Sequence, residues 1–474
     1  MLPFLGLKGF CIMDKNQSGK SIFKYLYSLV IVAIHTGAFF YVIFSVYNKM
    51  LSAPLDSGGY LMIVLYCAGI IGFFKTMGAL KVGYNRQFNI ILSHVISLCI
   101  LNVIAYLQLS LIHRAFLPLY PVFFMTVAQI VVSIIWTVIV FKINKKYASA
   151  IDMLLIYGDK KAEALVYKIL EREDQYKICQ TVQYIPETYT CESNIDAVKQ
   201  KILEYKAVII YRIPSNVRND LLKFCYENDI EVYLPPRISD IIIRGAKDLD
   251  QFDSPLVICK NCSLTDSQRF FKRFFDILIS VTGIILASPI MIAIAVAIKL
   301  YDGGPVLFKQ KRVTLNEKVF DIYKFRSMII DAEKDNRVIP ATENDPRITP
   351  VGNIIRKLRF DELPQLFNIL KGDMSFVGPR PERVEHHEAY TELIPEFPFR
   401  TKVKAGLTGY AQVMGKYNTT AYDKLLLDLI YIQKFSFFLD IRLILLTVKI
   451  IFMKESTEGF KNNNSKEKTD EKVN

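Results

Sequence analysis

The chain has 474 residues, of which 51% are hydrophobic and 22% are charged, and its formal net charge is +13. This length allows two to four domains, and the apolar content is more than one soluble core needs. A basic surplus combined with long apolar runs indicates a membrane protein whose basic loops face anionic lipid, and it argues against nucleic acid as the partner.

Four stretches near the N-terminus reach the roughly 20 apolar residues that a transmembrane helix needs. They are residues 22–47, 60–80, 90–112 and 119–141. Lysine and arginine cluster before the first, between the second and third, and after the fourth, which by the positive-inside rule places both the N-terminus and the chain after Lys146 in the cytoplasm. The first stretch is too long for the apolar core of a cleavable signal peptide. We therefore predict a transmembrane domain over residues 1–146.

Residues 147–265 change to alternating strands and helices. The segments IDMLLIY, AVIIY and IEVYL are typical of buried strands, with helices predicted between them over 162–173 and 216–228, which together indicate a parallel, Rossmann-like α/β domain. The turn after the first strand keeps only Gly158 of a GxGxxG fingerprint, and Lys160 stands where the backbone would have to approach a pyrophosphate. We predict a structural or regulatory domain that binds no dinucleotide.

Cysteine usage adds no site. None of the eight cysteines lies beyond Cys262, and the single CxxC, Cys259 to Cys262, has no second pair to complete a zinc site. Reduced thiols are expected.

Within the segment 266–300, a further apolar run over residues 274–300 has basic residues at both ends. Lys272 and Arg273 mark its entry into the membrane. A straight span would carry one basic cluster across the bilayer, against the positive-inside bias. Pro289 predicts a kink, because it donates no helical hydrogen bond, and Ser288 is placed to satisfy a freed backbone group. We predict a re-entrant helix with both ends in the cytoplasm.

The remainder divides into a basic, soluble-looking region and a tail. Residues 301–453 are predicted to form an α/β domain, ending in an apolar segment over 436–452 that is interrupted by charges and is expected to lie in the membrane interface. The Lys- and Glu-rich residues 454–474 are expected to be disordered.

The segment FDELPQLFNILKGDMSFVGPRPE, residues 360–382, holds the candidate site. Asp361 and Glu362 stand side by side, and Pro364 suits the first turn of a following helix. Capping of that helix would explain one acid and leave the second without a role. The flanking prolines stiffen the backbone around Arg380, which favours a guanidinium aimed at phosphate, although a solvated surface arginine is the simpler alternative.

Several further cations come close to this pair in sequence or motif: Arg356, Arg359, Lys324 and Arg326. Two carboxylates among so many cations indicate a polyphosphate with a divalent metal, because Mg²⁺ typically takes one or two carboxylates together with phosphate oxygens. The pair Asp361 and Glu362 would hold that metal, and one of the acids could serve as nucleophile or base.

Five segments carry a family resemblance: KRFFDILIS (272–280), GGPVLFKQKRV (303–313), KFRSM (324–328), DPRITPVGNIIRKLRFDELPQLFNILKGDMSFVGPRPE (345–382) and GLTGYAQV (406–413). Across residues 270–453 the chain resembles the bacterial sugar transferase family, the polyprenyl-phosphate hexose-1-phosphate transferases. The four preceding spans and the Rossmann-like domain resemble its long-form monotopic phosphoglycosyltransferases.

The resemblance implies that Asp361 and Glu362 are the catalytic dyad, that Arg356 and Arg380 contact substrate phosphates, and that the helix opening with Lys272 and Arg273 is re-entrant. Lys324 and Arg326 are added as phosphate-binding candidates from their cluster. The implied reaction transfers a hexose-1-phosphate from a UDP-sugar to undecaprenyl phosphate and releases UMP, with Mg²⁺ as cofactor. It is the first step of exopolysaccharide, capsule or O-antigen assembly.

The same resemblance implies a multi-pass protein of the bacterial inner membrane with its catalytic domain on the cytoplasmic face. Downstream glycosyltransferases are the expected partners, and a homodimer is the default oligomer. Thr314, Ala405 and Tyr410 depart from the family pattern in loops near the site, which puts the choice of sugar in doubt more than the chemistry.

Two other functions fit the sequence less well. A membrane-anchored nucleotide-sugar dehydratase needs an intact glycine fingerprint and a Tyr-x-x-x-Lys pair, and the only such pair, Tyr157 and Lys161, lies in the wrong turn. A non-catalytic export scaffold would need neither the dyad nor the GPRP motif at residues 378–381, and both are present. No motif identifies the sugar, with glucose or galactose preferred from the long-form resemblance.

Overall fold

The structure is a computed structural model. It describes residues 15–451 apart from 51–56, 148–149, 160–165, 167–168, 170–174, 185–191, 250–253, 255, 260–263, 331, 333–344 and 416–418. The predicted tail, most of the predicted helix over 162–173 and most of the CxxC motif lie outside the described residues. The chain divides into two compact units, residues 1–235 and 236–474.

Long apolar helices open the first unit. Their bounds are α1 Lys15–Val42, α2 Ser57–Met77, α3 Gln87–His113 and α4 Tyr120–Tyr147. A π-helical turn over Ile43–Tyr47 and a helical turn over Asn48–Met50 extend α1. All four contain segments that are long and apolar enough to cross a membrane, which confirms the prediction of several apolar helices in this region.

A polar network lies inside this helical bundle. The Tyr66 hydroxyl donates to Asn102 Oδ1 at 2.6 Å, and the Asn102 amide donates to Gln129 Oε1 at 2.8 Å. Gln129 in turn donates to the backbone carbonyl of His35 at 3.1 Å. The network joins all four helices, and in an apolar surrounding such bonds favour one packing arrangement because breaking them leaves polar groups unpaired.

A four-stranded parallel sheet with strand order β2-β1-β3-β4 follows in the same unit. Its elements are β1 Ile151–Tyr157, β2 Tyr176–Gln183, α5 Glu192–Ile202, β3 Ala207–Tyr211, α6 Ser215–Glu227 and β4 Glu231–Tyr233. Three of the strands are the predicted ones, and the parallel α/β prediction is confirmed. β2 was not predicted, because its side chains are mostly exposed and carry no buried-strand pattern.

Gly158 lies where β1 and β3 end side by side. A Cβ on Gly158 would stand 2.4 Å from the backbone oxygen of Arg212, so no larger residue fits without moving the chain. Gly158 N donates to the Tyr211 carbonyl at 3.1 Å. This glycine is accounted for by strand packing alone, whereas Lys160 and Ala162 of the same turn lie outside the described residues.

The second unit contains helices and short β-strands. They are α7 Ile238–Arg244, β5 Lys247–Leu249, β6 Leu256–Ile258, α8 Asp266–Asp302, β7 Leu307–Val313, β8 Val319–Phe325, α9 Pro350–Lys357, α10 Gln365–Lys371, β9 Ser375–Val377, α11 Val384–Leu393, β10 Gly406–Thr408, α12 Tyr410–Met414, α13 Ala421–Gln433 and α14 Phe437–Ile451. Strand pairs β5/β6 and β7/β8 are antiparallel and β9/β10 is parallel.

The sequence analysis placed residues 147–265 in one domain, and the structure divides that stretch. Ile241 of α7 is buried in one apolar cluster with Phe397, Leu425 and Leu429 of the second unit. The apolar side chain of Ile241 therefore joins α7 to the second unit.

Helix α8 is 37 residues long, apolar, and packed along one face against the rest of its unit. Its buried positions follow helical spacing: Lys272, Asp276, Ser280, Met291, Ile294 and Ile298. Near its start, the Asp276 carboxylate accepts bonds from Ser375 Oγ at 3.0 Å and Phe376 N at 2.9 Å. Near its end, Met291, Ile294 and Ile298 share an apolar cluster with Phe325 and Ile355. The opposite face exposes large apolar side chains, as at Leu286 and Leu300.

The α8 helix continues through Pro289 without interruption. A proline at position 289 leaves the carbonyl of residue 285 without its usual donor. Ser288 Oγ donates to the Ile285 carbonyl at 2.8 Å, so the predicted rescue of a freed backbone group is confirmed.

Helix α14 occupies most of the segment predicted to lie in the interface. One face packs inward, with Leu443 fully buried, and the other exposes Phe438, Ile441 and Val448. Asp440, which the sequence analysis took as an interruption of the apolar run, is buried and ion-paired. Its charge belongs to the interior of the unit.

Candidate active site

Asp361 and Glu362 lie on a 3-10 turn, Phe360–Glu362, between α9 and α10. Arg359 begins the turn with a left-handed backbone at φ 55°. Phe360 and Leu363, on either side of the two acids, pack against the apolar cluster formed by the C-terminal half of α8. The turn is thus anchored on α8 by its apolar residues, which leaves the carboxylates at the polar edge of that packing.

Three cations surround the Glu362 carboxylate. Lys324 Nζ lies 3.4 Å and Arg380 Nη2 3.7 Å from Oε1, and Arg359 Nη1 lies 4.0 Å from Oε2. Burial alone would raise the pKa of Glu362, but Lys324, Arg380 and Arg359 outweigh it and lower the pKa to about 2. Glu362 is therefore ionised throughout the neutral range.

The pKa of Asp361 is shifted in the opposite direction, upwards. Burial, and next the negative charge of Glu362, raise its pKa, while Lys324 and Arg356 oppose the rise. Within the described part of the chain Asp361 makes no ion pair. Adjacent carboxylates with pKa values pushed apart are typical of acids with different roles. Here Glu362 is held by cations, whereas no ion pair holds Asp361 among the residues that the structure describes.

The charges at the site leave a positive excess. Four cations, Lys324, Arg356, Arg359 and Arg380, act on two carboxylates. They come from separate elements: Lys324 from β8, Arg356 from the last turn of α9, and Arg380 from the segment after β9. Such a site favours an anionic ligand with about two negative charges at its centre, as a diphosphate has.

The donor set fits a divalent ion only in part. Among the residues that the structure describes, no group of three or more His, Cys, Asp or Glu side chains is placed to hold a metal. Asp361 and Glu362 offer two carboxylates, which is the number Mg²⁺ uses when phosphate oxygens complete its shell. Of the two, Asp361 is the better donor, because the Glu362 oxygens already face cations.

The structure brings Lys324, Arg356 and Arg380 to the dyad, as the sequence analysis expected, and gives Arg326 another partner. Arg326 is 7% exposed and pairs with Asp302 at the end of α8. Its predicted contact with substrate phosphate stays a prediction, but its charge already serves to fasten β8 to α8.

Lys272 and Arg273, predicted at the membrane entry, both have partners inside the unit, and their place relative to the membrane stays a prediction. Lys272 Nζ donates to Asp440 Oδ2 at 2.6 Å and to the Tyr431 hydroxyl at 3.2 Å, all within the interior. Arg273 donates to the carbonyls of Ile369 and Leu370 at 2.6 and 2.7 Å. These are the last carbonyls of α10, the helix that follows the dyad, so Arg273 caps it. Both residues attach α8 to its own unit.

Arg400 was missed as a site residue, and Arg359, named above among the nearby cations, was given no role. Arg359 precedes Glu362 by three positions, the spacing that brings charges together on one helical turn, so the LRFDE sequence held a usable signal. Arg400 contacts the backbone of Arg380, and it belongs to none of the motifs that were singled out.

By its helices the chain is a membrane protein, and by its second unit it is an α/β protein with a carboxylate pair in a cationic site. The family model for bacterial sugar transferase matches residues 267–454. Exopolysaccharide production protein PSS of Rhizobium leguminosarum bv. phaseoli is 42% identical over 185 residues, which are 37% of this chain and 92% of that protein. The chain belongs to the bacterial sugar transferase family.

Longer relatives match over the same region. The UDP-glucose:undecaprenyl-phosphate glucose-1-phosphate transferase of Klebsiella pneumoniae is 43% identical over 219 residues, 45% of each chain. The UDP-N-acetylgalactosamine-undecaprenyl-phosphate N-acetylgalactosaminephosphotransferase of Aeromonas hydrophila is 46% identical over 185 residues, 38% of this chain and 44% of that protein. The matches thus span less than half the length of these relatives.

Proposed function

We propose that the protein is an undecaprenyl-phosphate sugar phosphotransferase. It transfers hexose-1-phosphate from a UDP-sugar to undecaprenyl phosphate, giving undecaprenyl-diphosphate-sugar and UMP. The observation that carries this proposal is the carboxylate pair on the 360–362 turn, with Glu362 fixed among three cations and Asp361 in no ion pair with any residue that the structure describes. Relatives named for this reaction support it.

In the first step an Asp361 carboxylate oxygen attacks the β-phosphorus of the UDP-sugar. An oxygen–phosphorus bond forms, the bond from that phosphorus to the bridging oxygen breaks, and UMP leaves as an anion. A covalent acyl phosphate carrying the sugar remains on Asp361. This split suits a water-soluble donor and a lipid acceptor that must use one site in turn.

In the second step an oxygen of undecaprenyl phosphate attacks the same phosphorus and displaces the Asp361 carboxylate. Arg380 and Lys324 stabilise the negative charge that develops on the phosphoryl oxygens. Glu362 holds these cations in place. Mg²⁺, held by Asp361 with Glu362 and substrate phosphates, would offset repulsion between the anionic nucleophile and the diphosphate.

The topology follows from the proposed acceptor, which is a membrane lipid. The four N-terminal helices cross the bacterial inner membrane, and α8 enters and leaves it on the cytoplasmic side, where the catalytic unit lies. Two features support this: the basic loops, and the packing of both ends of α8 against one unit through Lys272 and Ile298. A homodimer and downstream glycosyltransferases complete the proposed setting.

UMP release from a panel of UDP-sugars, with purified protein and undecaprenyl phosphate, tests the reaction and selects the sugar. UDP-glucose and UDP-galactose are expected to give the fastest UMP release. Release from none of the UDP-hexoses or UDP-N-acetylhexosamines would contradict the proposal.

Topology is tested with single cysteines at Ser267 and Asn316 in a variant lacking the eight native cysteines. Both are expected to resist an impermeant thiol reagent applied outside intact cells. Labelling at 316 alone would show that α8 crosses the membrane.

A further inference from the structure

The segment 379–382, which carries Arg380, is held by its backbone at every residue. Each of its four carbonyls accepts a hydrogen bond, and the donors come from three places: Gly406 of β10, Arg400, and two adjacent residues at the end of β7. The pairs are Pro379 O from Gly406 N at 2.8 Å, Arg380 O from Arg400 Nη2 at 3.1 Å, Pro381 O from Arg312 Nη1 at 3.1 Å, and Glu382 O from Val313 N at 3.1 Å. With two prolines in the segment, little backbone freedom remains.

Arg400 is the donor with the most partners in this set. It lies on the 3-10 turn Phe397–Lys402 and is 4% exposed. Besides Arg380 O, its guanidinium bonds Asp428 Oδ2 through Nε at 2.9 Å and through Nη2 at 2.6 Å. Nη1 reaches Glu382 Oε1 at 3.4 Å. One planar group thus links α13 to the Arg380 carbonyl and to the Glu382 side chain.

The charge of Arg400 is used internally. Asp428 and Glu382 flank it, and a buried guanidinium needs such partners because desolvation of an unpaired charge is costly. Its planar fork can serve three acceptors in fixed directions, which a single ammonium cannot do. The hydrogen bonds and ion pairs of Arg400 go to Arg380, Glu382 and Asp428, so the contact that connects it with the dyad is the one to Arg380.

The Arg380 side chain is 47% exposed, and its Nη2 lies 3.7 Å from Glu362 Oε1. A half-exposed arginine has many rotamers, and fixing its backbone narrows the region that its guanidinium samples. We propose that Arg400, with Glu382 and Asp428, is a positioning residue that fixes Arg380 against the dyad for phosphoryl transfer. This inference rests on the proposed function.

The test is a double-variant comparison in the full-length protein, with UMP release and the thermal midpoint measured together. Arg400→Lys keeps the charge and loses the three-way fork, so kcat/KM is expected to fall about 10- to 100-fold. The kcat/KM of Arg380→Lys is expected to fall at least as far. If Arg400 acts through Arg380, the double variant loses no more than about threefold beyond Arg380→Lys alone.

Arg244→Lys is the matched control, because Arg244 is exposed at the end of α7. It should retain wild-type activity. Fully multiplicative losses in the double variant, or unchanged activity in Arg400→Lys, would overturn the inference.

Should Arg400→Lys fail to fold, Glu382→Gln decides, since it keeps an acceptor of the same shape and removes only the charge. A three- to tenfold loss that disappears in the Arg380→Lys background supports the inference, and an equal loss in both backgrounds overturns it. A wild-type protein that releases no UMP would instead refute the proposed function, so the two failures are distinguishable.

Discussion

Replacing Lys272 with methionine is expected to destabilise the second unit strongly. Lys272 and Asp440 form an ion pair at 2.6 Å with side chains only 8% and 12% exposed, and the Tyr431 hydroxyl bonds to both. Removing one partner of such a buried pair costs about 3–5 kcal/mol, because the other charge is left uncompensated. For a unit of this size each kcal/mol of lost stability lowers the thermal unfolding midpoint by about 2–4 °C, so that midpoint should fall by about 6–20 °C.

The double variant Lys272→Met/Asp440→Leu separates a lost pair from lost packing. Replacing both charges by apolar groups is often neutral, and Tyr431 keeps the Val377 carbonyl, 3.2 Å away, as a partner. Most of the lost stability should therefore return. The assay is amide hydrogen exchange of α13 and α14 peptides in the detergent-solubilised full chain at rising temperature.

Lys434→Met is the control, since Lys434 is an exposed lysine at the end of α13, and it should shift stability by no more than about 0.5 kcal/mol. If Lys272→Met leaves exchange unchanged, or if the double variant is as unstable as the single one, then Lys272 does not act through Asp440. A surface role near lipid headgroups would then be correct.

Two further predictions concern the dyad and the first unit. In a pH–rate profile the acid limb, where activity is lost as the pH falls, should lie above the pH range in which an ordinary aspartate titrates. Burial and then the charge of Glu362 raise the pKa of Asp361, and only the ionised carboxylate attacks. Glu362→Gln removes the neighbouring negative charge, so the limb of its residual UMP release should move to lower pH; an unmoved limb would contradict the assignment. Separately, the full-length protein should show no saturable heat with NAD(H) or NADP(H) in calorimetry, since the turn after β1 lacks two of three fingerprint glycines. A micromolar isotherm would show that the parallel sheet binds dinucleotide.

Local patterns predicted much of the architecture. The apolar helices α1 to α4 and strands β1, β3 and β4 are continuous runs whose burial follows from composition. The dyad turn was placed just before a helix because Pro364 and the adjacent acids mark such a site. The Ser288 bond to Ile285 was predictable, because Pro289 has no N–H to donate to the carbonyl four residues before it.

Long-range pairing was not predictable in the same way. Lys272 precedes an apolar run and therefore resembles a membrane-flanking cation, and its partner Asp440 lies 168 positions further on. Arg326 likewise appeared free for phosphate until the fold placed Asp302 beside it. Arg400 has no local pattern at all, since its three acceptors come from two separate segments. A single sequence gives the charge of such residues but not their partners.

The proposed mechanism depends most on Asp361 as a nucleophile. The direct measurement incubates the protein with a UDP-sugar labelled in the sugar and its β-phosphate, without lipid acceptor. Wild type should release UMP and retain the label covalently, and undecaprenyl phosphate added afterwards should remove it. Asp361→Asn keeps the size and loses the nucleophile, so it should fold, retain no label and turn over several orders of magnitude more slowly, roughly as expected when a catalytic nucleophile is removed. Label that never attaches to wild type, with initial-rate lines that intersect instead of running parallel, would show direct transfer in a ternary complex and contradict the two-step mechanism.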